Sequence, residues 1–151
     1  MPFDHAPLTD IVVVADADAE IRCIVVDALS HLGTAIVQAA NVYEVFEQAA
    51  RAVVHLVVTD IEMPGASGDY ISELRRRMPH CSIVVITRDL ACATHAMQHG
   101  ASGSLKKPFR TRQLRAVVAT VLGEAHRCCA VAPSEAQNAT TSFRPDRRIT
   151  E

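Results

Sequence analysis

Five short runs rich in β-branched residues recur at nearly even intervals, and this spacing constrains the fold more than any other feature of the chain. The runs are apolar at successive positions, which is typical of strands buried on both faces of a sheet. They comprise Ile11 to Ala15, Thr34 to Ala39, Leu56 to Thr59, Ser82 to Thr87 and Gly103 to Lys107. Such strands pair in parallel when helices connect them.

Helical patterns fill the intervals between the runs. The first carries apolar residues with i, i+3, i+4 spacing and ends at Gly33, and Asn41 followed by Glu44 predicts the N-cap of the second. The five predicted helices are Ala19 to Leu32, Asn41 to Ala52, Tyr70 to Met78, Ala91 to His99 and Thr111 to Arg127. The alternation predicts an α/β fold: a five-stranded parallel doubly wound sheet with five helices.

The length of 151 residues suffices for one domain of ordinary size and a short appendage. With 49% hydrophobic and 21% charged residues, the composition is that of a globular protein with a real core. We expect an N-terminal extension over residues 1–9, a domain over residues 10–127 and a disordered tail over residues 128–151. The tail sequence is polar and contains Pro, Ser and Thr without periodicity.

Composition also narrows the compartment and the class of partner. The first residues lack the pattern of a signal peptide and the apolar runs are too short to span a membrane, so we predict a cytoplasmic protein. The formal net charge of −2 favours neither nucleic acid nor an anionic membrane as a partner. The five cysteines are odd in number and show no C-x-x-C spacing, which favours reduced thiols.

Acidic residues stand where the first and third predicted strands end. Asp16 and Asp18 follow the first run, and Asp60 follows the third. In open parallel sheets, ligands bind at the carboxyl ends of the strands. Hard carboxylate oxygens suit Mg²⁺, so the set predicts a magnesium site, although each acid alone could be a solvated loop residue or, for Asp18, a helix cap.

The fourth and fifth predicted strands end in a hydroxyl and an ammonium group, those of Thr87 and Lys107. A carboxylate, a metal, a hydroxyl and a lysine together indicate phosphoryl transfer to the carboxylate. The protein's part in such a reaction is mostly positioning and neutralising charge on the phosphoryl oxygens. The expected product is an acyl phosphate.

Four motifs carry a resemblance to a known family: VVVADADAEIR (Val12 to Arg22), VVTDIEMPGASG (Val57 to Gly68), IVVITRD (Ile83 to Asp89) and GASGSLKKPF (Gly100 to Phe109). Over roughly residues 10–123 the chain resembles the receiver domain of two-component response regulators, in its chemotaxis-type single-domain form. The resemblance implies the flavodoxin-like strand order 2-1-3-4-5. It also implies a phosphoacceptor rather than an enzyme.

The resemblance assigns roles to individual residues. It makes Asp60 the phosphoacceptor, Asp16 the first acid of a metal-binding pair, Thr87 the switch hydroxyl and Lys107 the lysine at the end of the fifth strand. Glu62 would lend its main-chain carbonyl to Mg²⁺, beside Asp16 and Asp60. The implied partners are a sensor histidine kinase or phosphotransfer protein and an unknown output protein, which would bind the face formed by the fourth helix, fifth strand and fifth helix.

Three positions depart from the family pattern. Ala17 replaces the second acid of the pair, so the Mg²⁺ site is expected to be weak or altered unless Asp18 substitutes as the ligand, although Asp18 lies one residue later, a displacement of several ångströms. Arg88 replaces a small residue after the switch hydroxyl, where it could pair with phosphorylated Asp60, shield it or extend into solvent. Ser104 stands where an aromatic switch is usual. These departures leave open a degenerate, phosphorylation-independent interaction module.

Other groups of residues have ordinary interpretations. Cys92, His95 and His99 share a helix face, but without a further ligand they are expected to be partly exposed residues rather than a metal site. The run Arg75 to Arg77 is expected to be a solvated helix face, and the basic residues near Lys107 a protein-docking surface. A flavin-binding sandwich is disfavoured because the strand ends are acidic where phosphate must bind.

Overall fold

The computed structural model describes residues 10–123. Within that range five strands alternate with helices, and a 3₁₀ turn, Ser30–Leu32, follows the first helix. The strands are β1 (Ile11–Ala15), β2 (Ala35–Ala39), β3 (Val54–Asp60), β4 (Ser82–Thr87) and β5 (Gly103–Lys106). The helices are α1 (Ala19–Leu29), α2 (Val42–Arg51), α3 (Tyr70–Arg77), α4 (Leu90–Gln98) and α5 (residues 111–123). The predicted extension (1–9) and tail (128–151) lie outside the described residues.

All five strands are parallel and lie in the order β2-β1-β3-β4-β5. The predicted fold class, strand order and number of helices are therefore confirmed. Among the strands, the boundaries differ most at β3, which begins two residues before the predicted run and includes Asp60 as its last residue. The helix predicted to reach Leu32 changes to a 3₁₀ turn at Ser30, and Gly33 ends it in the left-handed conformation, φ 70°.

The two faces of the sheet pack against different helices. On one face, strand residues such as Val13, Val57 and Val85 form a core cluster with residues of α2, α3 and α4. Side chains alternate between the two faces along each strand, so the intervening residues point to the opposite face. Among them, Val12 and Val84 are fully buried. There the guanidinium of Arg115 in α5 donates to the main-chain carbonyl of Ala28 in α1, 2.9 Å away.

Local capping follows the sequence. Asn41 accepts a hydrogen bond from the main-chain N–H of Glu44 at 3.0 Å, and the Glu44 carboxylate accepts one from Ala40 at 2.7 Å. The predicted cap of α2 is thus confirmed. No helix within residues 10–123 is both long enough and apolar enough to cross a membrane.

Candidate functional site

The carboxyl ends of four strands bring four polar side chains to one edge of the sheet. Asp16 follows β1, Asp60 and Thr87 are the last residues of β3 and β4, and Lys107 follows β5. These four strands are consecutive neighbours in the sheet. The side chains lie near one another for that reason, and Asp16, Asp60 and Thr87 are all buried.

Lys107 joins the two acids. Its ammonium Nζ lies 2.8 Å from Oδ2 of Asp16 and 3.3 Å from Oδ2 of Asp60. Burial by itself lowers the pKa of Lys107, but the hydrogen bond to Asp16 and the charges of both carboxylates outweigh it, so the pKa lies above its ordinary value. Lys107 therefore stays charged at neutral pH and compensates two carboxylates that would otherwise repel each other.

Main-chain groups hold the other oxygen of each carboxylate. Oδ1 of Asp16 accepts the N–H of Asp18 at 2.9 Å, and Oδ1 of Asp60 accepts the N–H of Glu62 at the same distance. Each bond spans two residues and directs the chain out of its strand into the following loop. Both carboxylates are thereby oriented before any ligand binds.

The hydroxyl of Thr87 is hydrogen-bonded to an acid of the loop that follows β3. It donates to Oε2 of Glu62 at 2.8 Å and accepts the N–H of Asp89 at 3.1 Å. The sequence indicated only the main-chain carbonyl of Glu62, so the role of its side chain was missed. No local signal reveals it, since the two residues are 25 apart.

A second chain of hydrogen bonds supports the end of β3 from within the core. The Thr59 hydroxyl donates to the carbonyl of Asp60 at 2.9 Å, and the Tyr70 hydroxyl lies 3.0 Å from the Thr59 oxygen. Because Thr59 has only one proton, Tyr70 is the donor in the second bond. Burial raises the pKa of Tyr70 well above its ordinary value, so the phenol stays protonated.

Comparison with known proteins assigns this arrangement to a family. Residues 12–119, most of the chain, match the family described as "Response regulator receiver domain". The chain belongs to the response regulator receiver family. The receiver is also similar to part of several longer proteins.

Three curated relatives illustrate that similarity. The receiver is 32% identical to "DNA-binding transcriptional regulator NtrC" of Azospirillum brasilense, over 74% of this chain and 24% of the relative. It is 34% identical to "Nodulation protein W" of Bradyrhizobium diazoefficiens, over 69% of this chain and 47% of the relative. It is 32% identical to "Transcriptional regulatory protein FixJ" of Azorhizobium caulinodans, over 73% and 54%. The chain thus spans about a quarter to a half of these relatives' length.

Solved structures show the same fold at lower identity. A CheY-like response regulator receiver domain protein from Methanospirillum hungatei superposes with a TM-score of 0.72 at 19% identity, covering 79% of this chain and 98% of that one. The receiver domain of NtrX from Brucella abortus gives a TM-score of 0.69 at 24% identity, covering 74% and 98%. These similarities establish the architecture.

The acidic edge of the receiver supplies two buried carboxylates, and the main-chain carbonyl of Glu62 follows Asp60 closely in sequence. Mg²⁺ is commonly held by one or two carboxylates while water completes its octahedron, so these donors fit it. Ala17 adds no ligand, and Asp18 serves as the N-cap of α1 through a 2.9 Å bond from the N–H of Glu20. Within residues 10–123, no group of three or more His, Cys, Asp or Glu side chains is placed to hold a metal.

The other two departures differ in position: Arg88 follows the end of β4, whereas Ser104 lies near the start of β5. Arg88 is exposed, and it lines a cavity of about 370 Å³ next to Lys107. The remaining walls of that cavity are apolar or aliphatic: Ile21, Ile24, Pro108 and Phe109. Ser104 pairs with Val85 across the β4–β5 ladder and is partly exposed.

The residues of α4 singled out in the sequence lie apart from this site. The rings of His95 and His99 stack with centroids 4.0 Å apart, and Nδ1 of His99 lies 2.8 Å from the carbonyl of His95. Cys92 and His95 line a mostly apolar cavity of about 350 Å³ that also includes residues of α3. His95 and His99 are exposed and Cys92 is half-buried, whereas Ala93 and Ala96 form the buried face of the helix.

Arg75 is not the solvated residue that its sequence context predicts. Its guanidinium donates to the main-chain carbonyls of Gly100, Met78, Pro79 and Cys81 and to the Ser102 hydroxyl. By contrast, Arg76 and Arg77 are exposed and pair with Glu73 on the same helix. The prediction of a solvated face is therefore wrong for Arg75 and correct for its two neighbours.

Proposed function

We propose that this receiver accepts a phosphoryl group on Asp60 from the phosphohistidine of a sensor histidine kinase or a phosphotransfer protein, and then signals through protein contacts. The observation that carries the proposal is the position of the Lys107 ammonium between Asp16 and Asp60. An ordinary structural ion pair would not require two buried acids to share one lysine at the carboxyl edge of a parallel sheet. That edge is where ligands of such sheets bind.

In the proposed reaction, a carboxylate oxygen of Asp60 attacks the phosphorus of the phosphoimidazole. The P–O bond forms as the P–N bond breaks, and the leaving imidazole nitrogen keeps the electron pair and takes up a proton. Lys107 balances charge on the phosphoryl oxygens, and Thr87 donates a hydrogen bond to one of them. Asp16, Asp60 and the Glu62 carbonyl would hold Mg²⁺, which supplies further charge neutralisation when bound.

The same proposal specifies the class of protein, its partners and the compartment. The protein acts as a phosphoacceptor that assists its own phosphorylation and hydrolysis rather than as an enzyme with a separate substrate. Its donor and its output partner are proteins, and the reaction takes place in the cytoplasm. Two of the curated relatives named above are described as transcriptional regulators, which supports a signalling role of this kind.

Incubation with phosphoramidate and Mg²⁺, followed by intact mass measurement, tests the proposal. The wild-type chain should gain one phosphate, and Asp60→Asn should gain none because the amide is not a nucleophile of comparable strength. Asp69→Asn is the matched control, since it changes an exposed acid of the loop after β3. An adduct of equal yield in Asp60→Asn would place the acceptor elsewhere and overturn the assignment.

A second candidate is a degenerate receiver that binds partners without phosphorylation. The observation that favours it is the missing ligand at Ala17, together with the exposed cation of Arg88 beside the site. This candidate predicts no phosphate gain in the wild type. It also predicts none in Ala17→Asp, in which the acid pair is restored.

A further inference from the structure

In the unphosphorylated receiver, the buried hydroxyl of Thr87 already uses its only proton in a hydrogen bond. A hydroxyl has one proton to donate, and that proton points to Oε2 of Glu62 at 2.8 Å. One lone pair accepts the N–H of Asp89 at 3.1 Å. Thr87 is only 1% exposed, so water does not compete freely for these bonds.

Glu62 is hydrogen-bonded to both Asp60 and Thr87. Its main-chain N–H donates to Oδ1 of Asp60 at 2.9 Å, while its carboxylate accepts from Thr87. Glu62 itself is exposed, so its side chain can leave Thr87 and enter solvent without a large packing cost. One residue therefore links the acceptor carboxylate to the hydroxyl at the end of the next strand.

We propose that Glu62 is a positioning residue whose carboxylate holds Thr87 in its unphosphorylated arrangement and releases it when Asp60 carries a phosphoryl group. This inference rests on the proposed function of the site. Phosphorylation replaces the single charge of the Asp60 carboxylate with the nearly two charges of a phosphoryl group, so about one negative charge is added beside Glu62, and the two like-charged groups repel each other. The Thr87 hydroxyl then exchanges its hydrogen bond to the Glu62 carboxylate for one to a phosphoryl oxygen. Its proton stays on Thr87, and no covalent bond is made or broken.

The proposal predicts a measurable cost for breaking the Glu62–Thr87 bond. Hydrogen bonds to charged acceptors are stronger than neutral ones. Glu62→Ala removes the acceptor and should raise the affinity for beryllofluoride, a phosphoryl mimic, by about tenfold in the presence of Mg²⁺. Glu62→Gln keeps an acceptor oxygen without its charge and should give a smaller increase.

A general charge effect would also raise anion affinity, and a double-mutant cycle separates it from the proposed one. Thr87→Val removes the hydroxyl while keeping the shape of the side chain. In that background Glu62→Ala should raise beryllofluoride affinity by clearly less than in the wild type, because only the relief of charge repulsion remains and the bond is already absent. Asp69→Asn, which removes an exposed acid from the same loop, should leave the affinity of the wild type nearly unchanged.

Amide NMR spectra of the metal-free protein provide a readout that does not depend on ligand binding. Glu62→Ala should move the Thr87 and Asp89 signals toward their positions in the beryllofluoride-bound wild type. An equal affinity gain from Glu62→Ala with and without the Thr87 hydroxyl would overturn the proposal while leaving Asp60 as acceptor. Failure of the wild type to bind beryllofluoride and to gain phosphate would overturn the proposed function and the release step together.

Discussion

Replacing Arg75 by alanine should destabilise the receiver far more than replacing either neighbouring arginine. The guanidinium ties the end of α3 to the residues that precede β4 and β5. It donates twice to the carbonyl of Gly100, at 3.0 and 2.9 Å, and once to that of Cys81 at 2.6 Å. Further bonds reach Met78 and Pro79 at 3.2 and 3.0 Å.

The magnitude follows from which acceptors can find water after the change. Pro79 is exposed and Met78 is partly exposed, so their carbonyls can be rehydrated at little cost. The carbonyls of Gly100 and Cys81 lie at the partly buried contact with Arg75, and each of these two acceptors left without its charged donor costs about 1.5 kcal/mol. The expected loss is about 3 kcal/mol in the free energy of unfolding.

Urea denaturation followed by circular dichroism measures this loss. For Arg75→Ala we expect the midpoint to fall by about 1.5 M with little change in slope, and the melting temperature to fall by roughly 12 °C. Arg76→Ala is the matched control, because its side chain is 72% exposed and a surface ion pair such as that with Glu73 contributes little to stability. Equal midpoints for the two variants would refute the reasoning.

Three further predictions concern the site and the core. Lys107→Ala should suppress phosphate gain in the intact-mass assay while circular dichroism shows an unchanged fold, because the cation that balances the phosphoryl charge is lost. Burial raises the pKa of the Cys81 thiol to about 12, so peptide mapping after iodoacetamide treatment at pH 8 should find exposed Cys23 labelled and Cys81 protected until urea is added. In calorimetric titrations, Ala17→Asp should tighten Mg²⁺ binding by about tenfold, whereas Asp18→Ala should leave Mg²⁺ affinity unchanged. Asp18→Ala should also lower the free energy of unfolding by about 1 kcal/mol, because the cap of α1 is lost. Weaker Mg²⁺ binding in Asp18→Ala would instead make Asp18 a ligand.

Most of the fold was predictable because local patterns carry it. Apolar runs at even spacing, Gly33 after the first helix and the Asn41 cap all act within a few residues of their own position. The candidate site was predictable to the extent that it stands at strand ends. Asp16, Asp60, Thr87 and Lys107 terminate neighbouring strands, so the fold alone brings them to one edge.

The roles of side chains beyond those strand ends were harder to predict from the sequence. Glu62 carries its carboxylate to Thr87 only because β3 and β4 are adjacent in the sheet. Asp18 was open to two interpretations, as a metal ligand or as a helix cap. The geometry of its loop directs one oxygen to the N–H of Glu20, the cap position.

The sequence by itself determined the order of elements, the parallel sheet and the types of residue at its carboxyl edge, because periodicity and strand ends are local properties of a chain. Only the tertiary structure decided which of three consecutive arginines is structural. Arg75, Arg76 and Arg77 have the same chemistry and the same helix propensity. The orientation of α3 turns Arg75 toward the carbonyl of Gly100, 25 residues away, and leaves the other two in solvent, a distinction that depends on packing between elements.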